Sequence, residues 1–257
     1  MLIPFKFLIN RVLNFVFHVG SFGKLCYQTV LAVRDYRTYS DKIITQMMSI
    51  GIRSLPVVGY ISIFMGMVMA LQAIKQFTQT VPLYVAGTVV EKAVLQELAT
   101  AMTGLVLSGR VGASIAAEIG TMKVTEQIDA LQSMAFNPIA YLVVPRLIAG
   151  LVMVPVLSII AGGIAMISGW LTAISLADIT TIEFFKGAKM YAAWHDFALP
   201  VSKSFLFGAS IIMVACYQGL NTREGAEGVG RAATNAAVSA CLLILTLDFV
   251  MAKIILG

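Results

Sequence analysis

Residues 147–177 read LIAGLVMVPVLSIIAGGIAMISGWLTAISLA: thirty-one consecutive positions without a charge. A hydrocarbon core of ~30 Å needs about 20 apolar residues in a helix, so this run is long enough to cross a bilayer. Pro155 and the pair Gly162-Gly163 interrupt it, and the expectation is one long or kinked helix rather than two. Four further runs obey the same logic: Ser54–Ile74, Val81–Gly109 with Glu97 inside it, Ser204–Thr222, and Ala232–Ala252 with Asp248 inside it. The expected architecture is an all-α polytopic membrane protein with about five transmembrane helices.

Composition agrees. Hydrophobic residues make up 59% of the 257 residues even without counting glycine, and charged residues 12%, against about 25% charged in a soluble domain. Mean hydropathy is +0.88. So few charges cannot clothe a soluble surface of this size, and a disordered chain is not this apolar. The net charge of +5 reads as topology rather than nucleic-acid affinity, because no stacking surface interleaves with the basic residues. Cys26, Cys216 and Cys241 have neither metal-ligand spacing nor the look of a disulfide framework, and no metal site is expected.

Ahead of the first run, Phe5, Leu8, Ile9, Val12, Leu13, Val16 and Val19 recur at helical spacing between Lys6, Arg11, Asn14 and His18. This is an amphipathic pattern, suited to lying in the membrane interface. It favours an interfacial segment over residues 1–42 and a transmembrane region over 43–257, together one domain. A signal peptide fits less well, for want of a small-x-small site after an apolar core. With a cytoplasmic N-terminus, twelve of the eighteen basic residues, including all eight arginines, fall on the inner side.

Gly104, Ser108, Gly112, Ala116 and Gly120 recur every four residues, a small-residue stripe along which helices can approach closely. It serves packing within one subunit or a seam between subunits. Thr121–Met134 comes next as an expected short helix with Val124, Ile128, Leu131 and Ala135 on one side and Lys123, Glu126, Gln127, Asp129 and Gln132 on the others, ended by Asn137-Pro138. Pattern alone leaves a solvated loop helix and a docking helix equally open. Glu97 and Asp248 within apolar runs, and Lys203 and Arg231 near span ends, need a partner, a wet cavity or a snorkelling path, since a charge at mid-membrane costs at least ~2.5–3.5 kcal/mol. Glu97 with Lys203 is one candidate pair; a polar lining for a headgroup is the other reading.

The run GRVGASIAAEIGTMKVTEQIDALQSMAFNPIAYLVVPR, Gly109–Arg146, resembles the signature of MlaE/YrbE-type permeases, the membrane subunits of bacterial ABC transporters that move lipids with MCE-domain proteins. GMVMALQ (Gly66–Gln72), QEL (Gln96–Leu98) and TLDFV (Thr246–Val250) extend the resemblance over nearly the whole chain. Two positions depart from it: Asn137 stands where many members have Asp, and Gln96 where some have Arg.

The resemblance implies a homodimer in the bacterial inner membrane, two ABC ATPase subunits, an MCE-domain partner on the outer side, often a STAS-domain protein, and phospholipid as cargo. It makes the helix near 121–135 a coupling helix, with Glu118, Lys123, Glu126 and Asp129 as candidates for ATPase coupling. It places a lipid pocket near the outer ends of the first spans, with Met69, Gln76, Phe77 and Glu97 as candidates. Lys203, Arg231 and Asp248 are the remaining intramembrane polar candidates. No G-x-x-x-x-G-K-[ST] loop occurs. No catalytic constellation stands out either. The chain is therefore expected to be no enzyme and to hold no cofactor, ATP being used by the partner ATPase. A stand-alone carrier or a membrane-embedded enzyme is the alternative; five spans do not divide into two equal inverted repeats.

Overall fold

A computed structural model describes residues 3–33, 40–76, 84–177, 179–190, 194–223 and 225–256. Among them the chain is helical, without a strand, and five helices are long and apolar enough to cross a membrane: Ser40–Gln76, Gly87–Val124, Ile139–Leu176, Asp196–Leu220 and Gly225–Ile255. The first is α2 (Ser40–Ile50), a tight turn at Ile52–Ser54, and α3 (Leu55–Gln76). The second is α4 (Val85–Glu91), α5 (Ala99–Leu107) and α6 (Ala113–Val124), joined by π-helical turns at Lys92–Leu98 and Ser108–Gly112. A short α7 (Gln127–Ser133) comes after it. The third span opens with a π-helical turn at Ile139–Val143 and continues as α8 (Val144–Leu176). Then come α9 (Thr181–Met190), α10 (His195–Leu220) and α11 (Gly225–Leu256).

Helix α8 stays one helix through Pro155. Its 33 residues extend ~50 Å at 1.5 Å per residue, more than a hydrocarbon core requires. The second span differs from the sequence expectation: it runs on past Gly109 to Val124, through the small-residue stripe. The charges that made Gly109 look like an end are answered across helices, Arg110 by Ser54 and Glu118 by Arg146. The fourth span likewise begins at Asp196 rather than Ser204, because Asp196 and Lys203 are both paired.

The stripe is used inside the chain. Gly104 faces Phe207 and Ile244, Ser108 Oγ lies 2.8 Å from Cys241 Sγ, Gly112 faces Ile211, Ala116 is fully buried, and Gly120 meets Thr222. The second span therefore packs against α10 and α11. On the other side, α3 crosses α8 at Gly66, where a Cβ would stand 2.0 Å from the Ala165 carbonyl oxygen. The short α9 crosses α4 just as closely: a Cβ on Gly187 would lie 1.8 Å from the Tyr84 carbonyl oxygen, and one on Gly87 2.2 Å from that of Phe184. Thr88 Oγ1 donates to the Gly187 carbonyl at 2.7 Å across this contact. A capping box starts α9: the Thr180 N–H and hydroxyl donate to the Glu183 carboxylate at 2.9 and 2.8 Å, and the Glu183 N–H returns a bond to Thr180 Oγ1. These bonds, the backbone one foremost, hold the Glu183 carboxyl below its ordinary range.

Helix α1 (Ile3–Ala32) is longer than the amphipathic stretch read from the sequence. Leu25, Thr29 and Ala32 turn inward, while Leu13, Val16, Phe17, Val19, Tyr27, Val30 and Leu31 are exposed. It is fastened to the end of α10 by Phe22 edge-on to Tyr217 and by His18 Nδ1, 2.8 Å from the Tyr217 hydroxyl.

The α3–α8 crossing yields a test. Gly66→Ala pushes a methyl into backbone and is expected to cost ~1–3 kcal/mol, the usual overpacking range. Gly163→Ala meets nothing within 4 Å and should stay within ~0.5 kcal/mol. Unfolding of the purified variants in mixed micelles measures both; equal stability of the two would refute the crossing.

Candidate functional site

Lys203, on α10, has no exposed surface. Its Nζ lies 2.7 Å from Glu97 Oε2, in the π-helical turn of the second span, and 2.8 Å from Asp248 Oδ1 on α11. The first contact is an aligned hydrogen bond; the second is an ion contact without that alignment. Three of the residues singled out in the sequence thus meet in one cluster joining three spans. The acids are not sealed: the Glu97 side chain is 38% exposed and that of Asp248 20%. Removing a solitary ammonium from water costs several kcal/mol, so Lys203 depends on both.

A second pair that the sequence reading missed sits nearby. Asp196, fully buried at the start of α10, receives hydrogen bonds from Lys92 and from Gln96. Lys92 and Gln96 are four residues apart and share a helix face. That spacing was the available signal; the carboxylate partner is a hundred residues away and had none. Lys92 places a cation one turn from Gln96, the position where some permeases of the resembled family carry arginine.

Arg231 does not join these clusters. It is exposed near the start of α11, 2.5 Å from Glu227 one turn away. Met69 is half-buried against the core, Gln76 is exposed at the end of α3, and Phe77 lies outside the described residues. A mostly apolar cavity of about 390 Å³ opens elsewhere, between the second, third and fourth spans, lined by Leu95, Ala99, Gly162, Met166, Phe197 and Val201 and by none of Met69, Gln76 and Glu97.

At the opposite end from α9, α7 is shorter than expected from Thr121–Met134. Helix α6 ends at Val124, and Glu126 takes a left-handed conformation (φ 60°) that separates it from α7. Ala135 (φ 61°) closes the other side. Asn137, expected to end this helix, instead starts the next: its Oδ1 accepts the Ile139 N–H at 3.0 Å ahead of the third span. Ile128 anchors α7 in the core at 3% exposure. Lys123 Nζ lies 2.9 Å from Asp129 Oδ1, while Glu126 points into the open. Glu118 accepts from buried Arg146 at 2.7 Å, and Arg146 also donates to the Leu142 carbonyl. A cavity of about 460 Å³ lies on either side of α7, one bounded by Glu118, Tyr141 and Arg146, the other by Lys24, Lys123 and Tyr217.

Five apolar spans, charges paired between them and a short polar helix held at one end define a multi-pass membrane protein of the permease class. The family model described as Permease MlaE matches residues 43–254, and the chain belongs to that family. A probable ABC transporter permease protein of Rickettsia felis is 37% identical, over 95% of each chain. A second, from Synechocystis, is 35% identical over 86% of this chain and 84% of its own. The intermembrane phospholipid transport system permease protein MlaE of Haemophilus influenzae is 29% identical over 96% of this chain and 95% of its own.

Lys203→Met leaves two acids without their cation and is expected to destabilise the chain by about 3 kcal/mol. Adding Glu97→Gln and Asp248→Asn should restore most of it. Unfolding in micelles decides; a single variant as stable as the parent would show that the cluster holds nothing together.

Proposed function

We propose that this chain is the membrane subunit of an ATP-driven phospholipid transporter, working as a homodimer in the bacterial inner membrane with its N-terminus in the cytoplasm. The observation that carries the reading is the partial exposure of Glu97 and Asp248 in the middle of apolar spans. Hydrocarbon does not tolerate such acids, so that face belongs against a wet or headgroup-bearing cavity. Close by, α11 presents Val238, Leu242, Leu245 and Phe249 as an exposed apolar stripe. A second copy set against this side would enclose a cavity with acidic groups within an apolar wall, suited to an amphiphile. Met69, Gln76 and Phe77 remain the proposed lining for acyl chains near its outer mouth.

ATP is used by a separate ABC ATPase that docks on α7, and this chain holds no cofactor of its own. Glu118, Lys123, Glu126 and Asp129 surround that helix. Its bonding separates their roles: Glu118 and Lys123 position it through Arg146 and Asp129, while Glu126 and the open side of Asp129 face the partner. An MCE-domain protein on the outer side and a STAS-domain protein on the ATPase complete the assembly, as the family kinship suggests.

Purification of the tagged chain from its native membrane tests the reading. An ATPase subunit is expected in equal amount. Glu126→Gln with Asp129→Asn should reduce its recovery about tenfold, the scale of one or two lost charge-assisted hydrogen bonds, with the thermal stability of the membrane chain unchanged. An intact chain that brings down no ATPase overturns the proposal; full recovery with the double variant moves the docking contact elsewhere.

A further inference from the structure

Two departures from α-helical geometry meet near the α7 end of the bundle, and each carries an arginine. Arg53 lies in the tight turn between α2 and α3, and Arg110 in the π-helical turn between α5 and α6. Ser54 joins them: its hydroxyl accepts from Arg110 Nη1 and donates to the Ile50 carbonyl at 2.6 Å. The two guanidinium groups border a cavity of about 130 Å³, with Gln46, Ser49, Ser114 and Glu118 also on its wall. Glu118 is the one carboxylate among these lining residues, and it is already bonded to Arg146 at 2.7 Å. The wall is therefore rich in hydrogen-bond donors and positive in charge.

The depth of the cavity is as informative as its charge. The uncharged stretch of the first span begins at Ser54, and that of the second ends at Gly109. Arg53 and Arg110 stand immediately beyond these limits, where the apolar core of a bilayer gives way to headgroups. Arginine snorkels to such a level anywhere. Two arginines on different spans, one of them oriented by a serine, with two more hydroxyls and an amide between them, make a pocket rather than a pair of snorkelling chains. A guanidinium fork matches phosphate oxygens two at a time.

We propose that this cavity binds the phosphate of a phospholipid drawn from the leaflet on the α7 side, with Arg53 and Arg110 as its principal contacts. Its purpose as a loading point rests on the proposed transport function; the binding itself does not.

Full-length chain in nanodiscs is labelled with phosphatidylglycerol carrying a diazirine in its headgroup, and adducts are mapped by mass spectrometry. Adducts are expected on the segments around Ser49 and Ser114, and not with a diacylglycerol bearing the same diazirine. Arg53→Gln with Ser114→Glu changes two exposed side chains and should lower these adducts about tenfold, in line with losing one charged hydrogen bond and adding a repulsive charge. Arg223→Gln, on the exposed turn before α11, should leave them within about twofold. Equal labelling by the diacylglycerol, unchanged labelling in the double variant, or displacement by inorganic phosphate at the lipid's own concentration would each overturn the proposal, the last by showing a free-anion site. Recovery of the ATPase, measured on the same preparations, reports separately on the transport function.

Discussion

An ammonium group shut away from water inside a membrane protein must be met by acids, and Lys203 draws them from two directions. Its charge is held by Glu97 from one span and Asp248 from another, at 2.7 and 2.8 Å. The second, fourth and fifth spans are thereby fixed in rotation and depth relative to one another, because turning any of them would leave a charge in hydrocarbon. Asp196 with Lys92 and Gln96 repeats the arrangement between the second and fourth spans. Glu118 with Arg146 repeats it between the second and third. The second span takes part in all three, which makes it the electrostatic spine of the bundle.

The same pairings explain why some features were legible in the sequence and others were not. The number of spans was legible because five apolar runs survive any reasonable trimming. Their ends were not, since an apolar run stops at each charge, and Asp196, Lys203, Arg110, Glu118 and Arg146 all lie inside helices once their partners are known. A run of uncharged residues measures the part of a span that needs no partner. The small-residue stripe was legible as a packing surface, but pattern alone could not say what packs there; Phe207, Ile211, Ile244 and Cys241 do. Glu97 and Lys203 were recognisable as partners from their cost alone. Asp196 was passed over because it sits at the edge of an apolar run, where a charge needs no explanation.

Helix α7 illustrates a different limit. Its composition announced an amphipathic helix, and Ile128 and Leu131 do turn toward the core. Nothing in the residue pattern signals that Glu126 and Ala135 adopt left-handed backbone, a conformation that non-glycine residues seldom take. Those two residues isolate α7 from the spans on each side, so the helix is joined to the bundle by short turns, one buried isoleucine and the Lys123–Asp129 bridge. With a cavity on each flank, it is a small element resting on a narrow base. Such an element can be displaced without unpacking α6 or α8.

The two π-helical turns of the second span have a consequence for its register. A π-turn accommodates one residue more than an α-helical turn does, and each residue advances a helix by about 100°. The turn at Lys92–Leu98 therefore resets the phase between α4, whose Gly87 must face α9, and α5, whose Gly104 must face α10. The turn at Ser108–Gly112 does the same between α5 and α6. Across these segments the span tolerates substitution but not a change of length: losing one residue would restore ideal helix and swing everything on one side of it by more than a quarter turn. The second span is in this sense a keyed shaft, its bittings set by two supernumerary residues rather than by the side chains that they align.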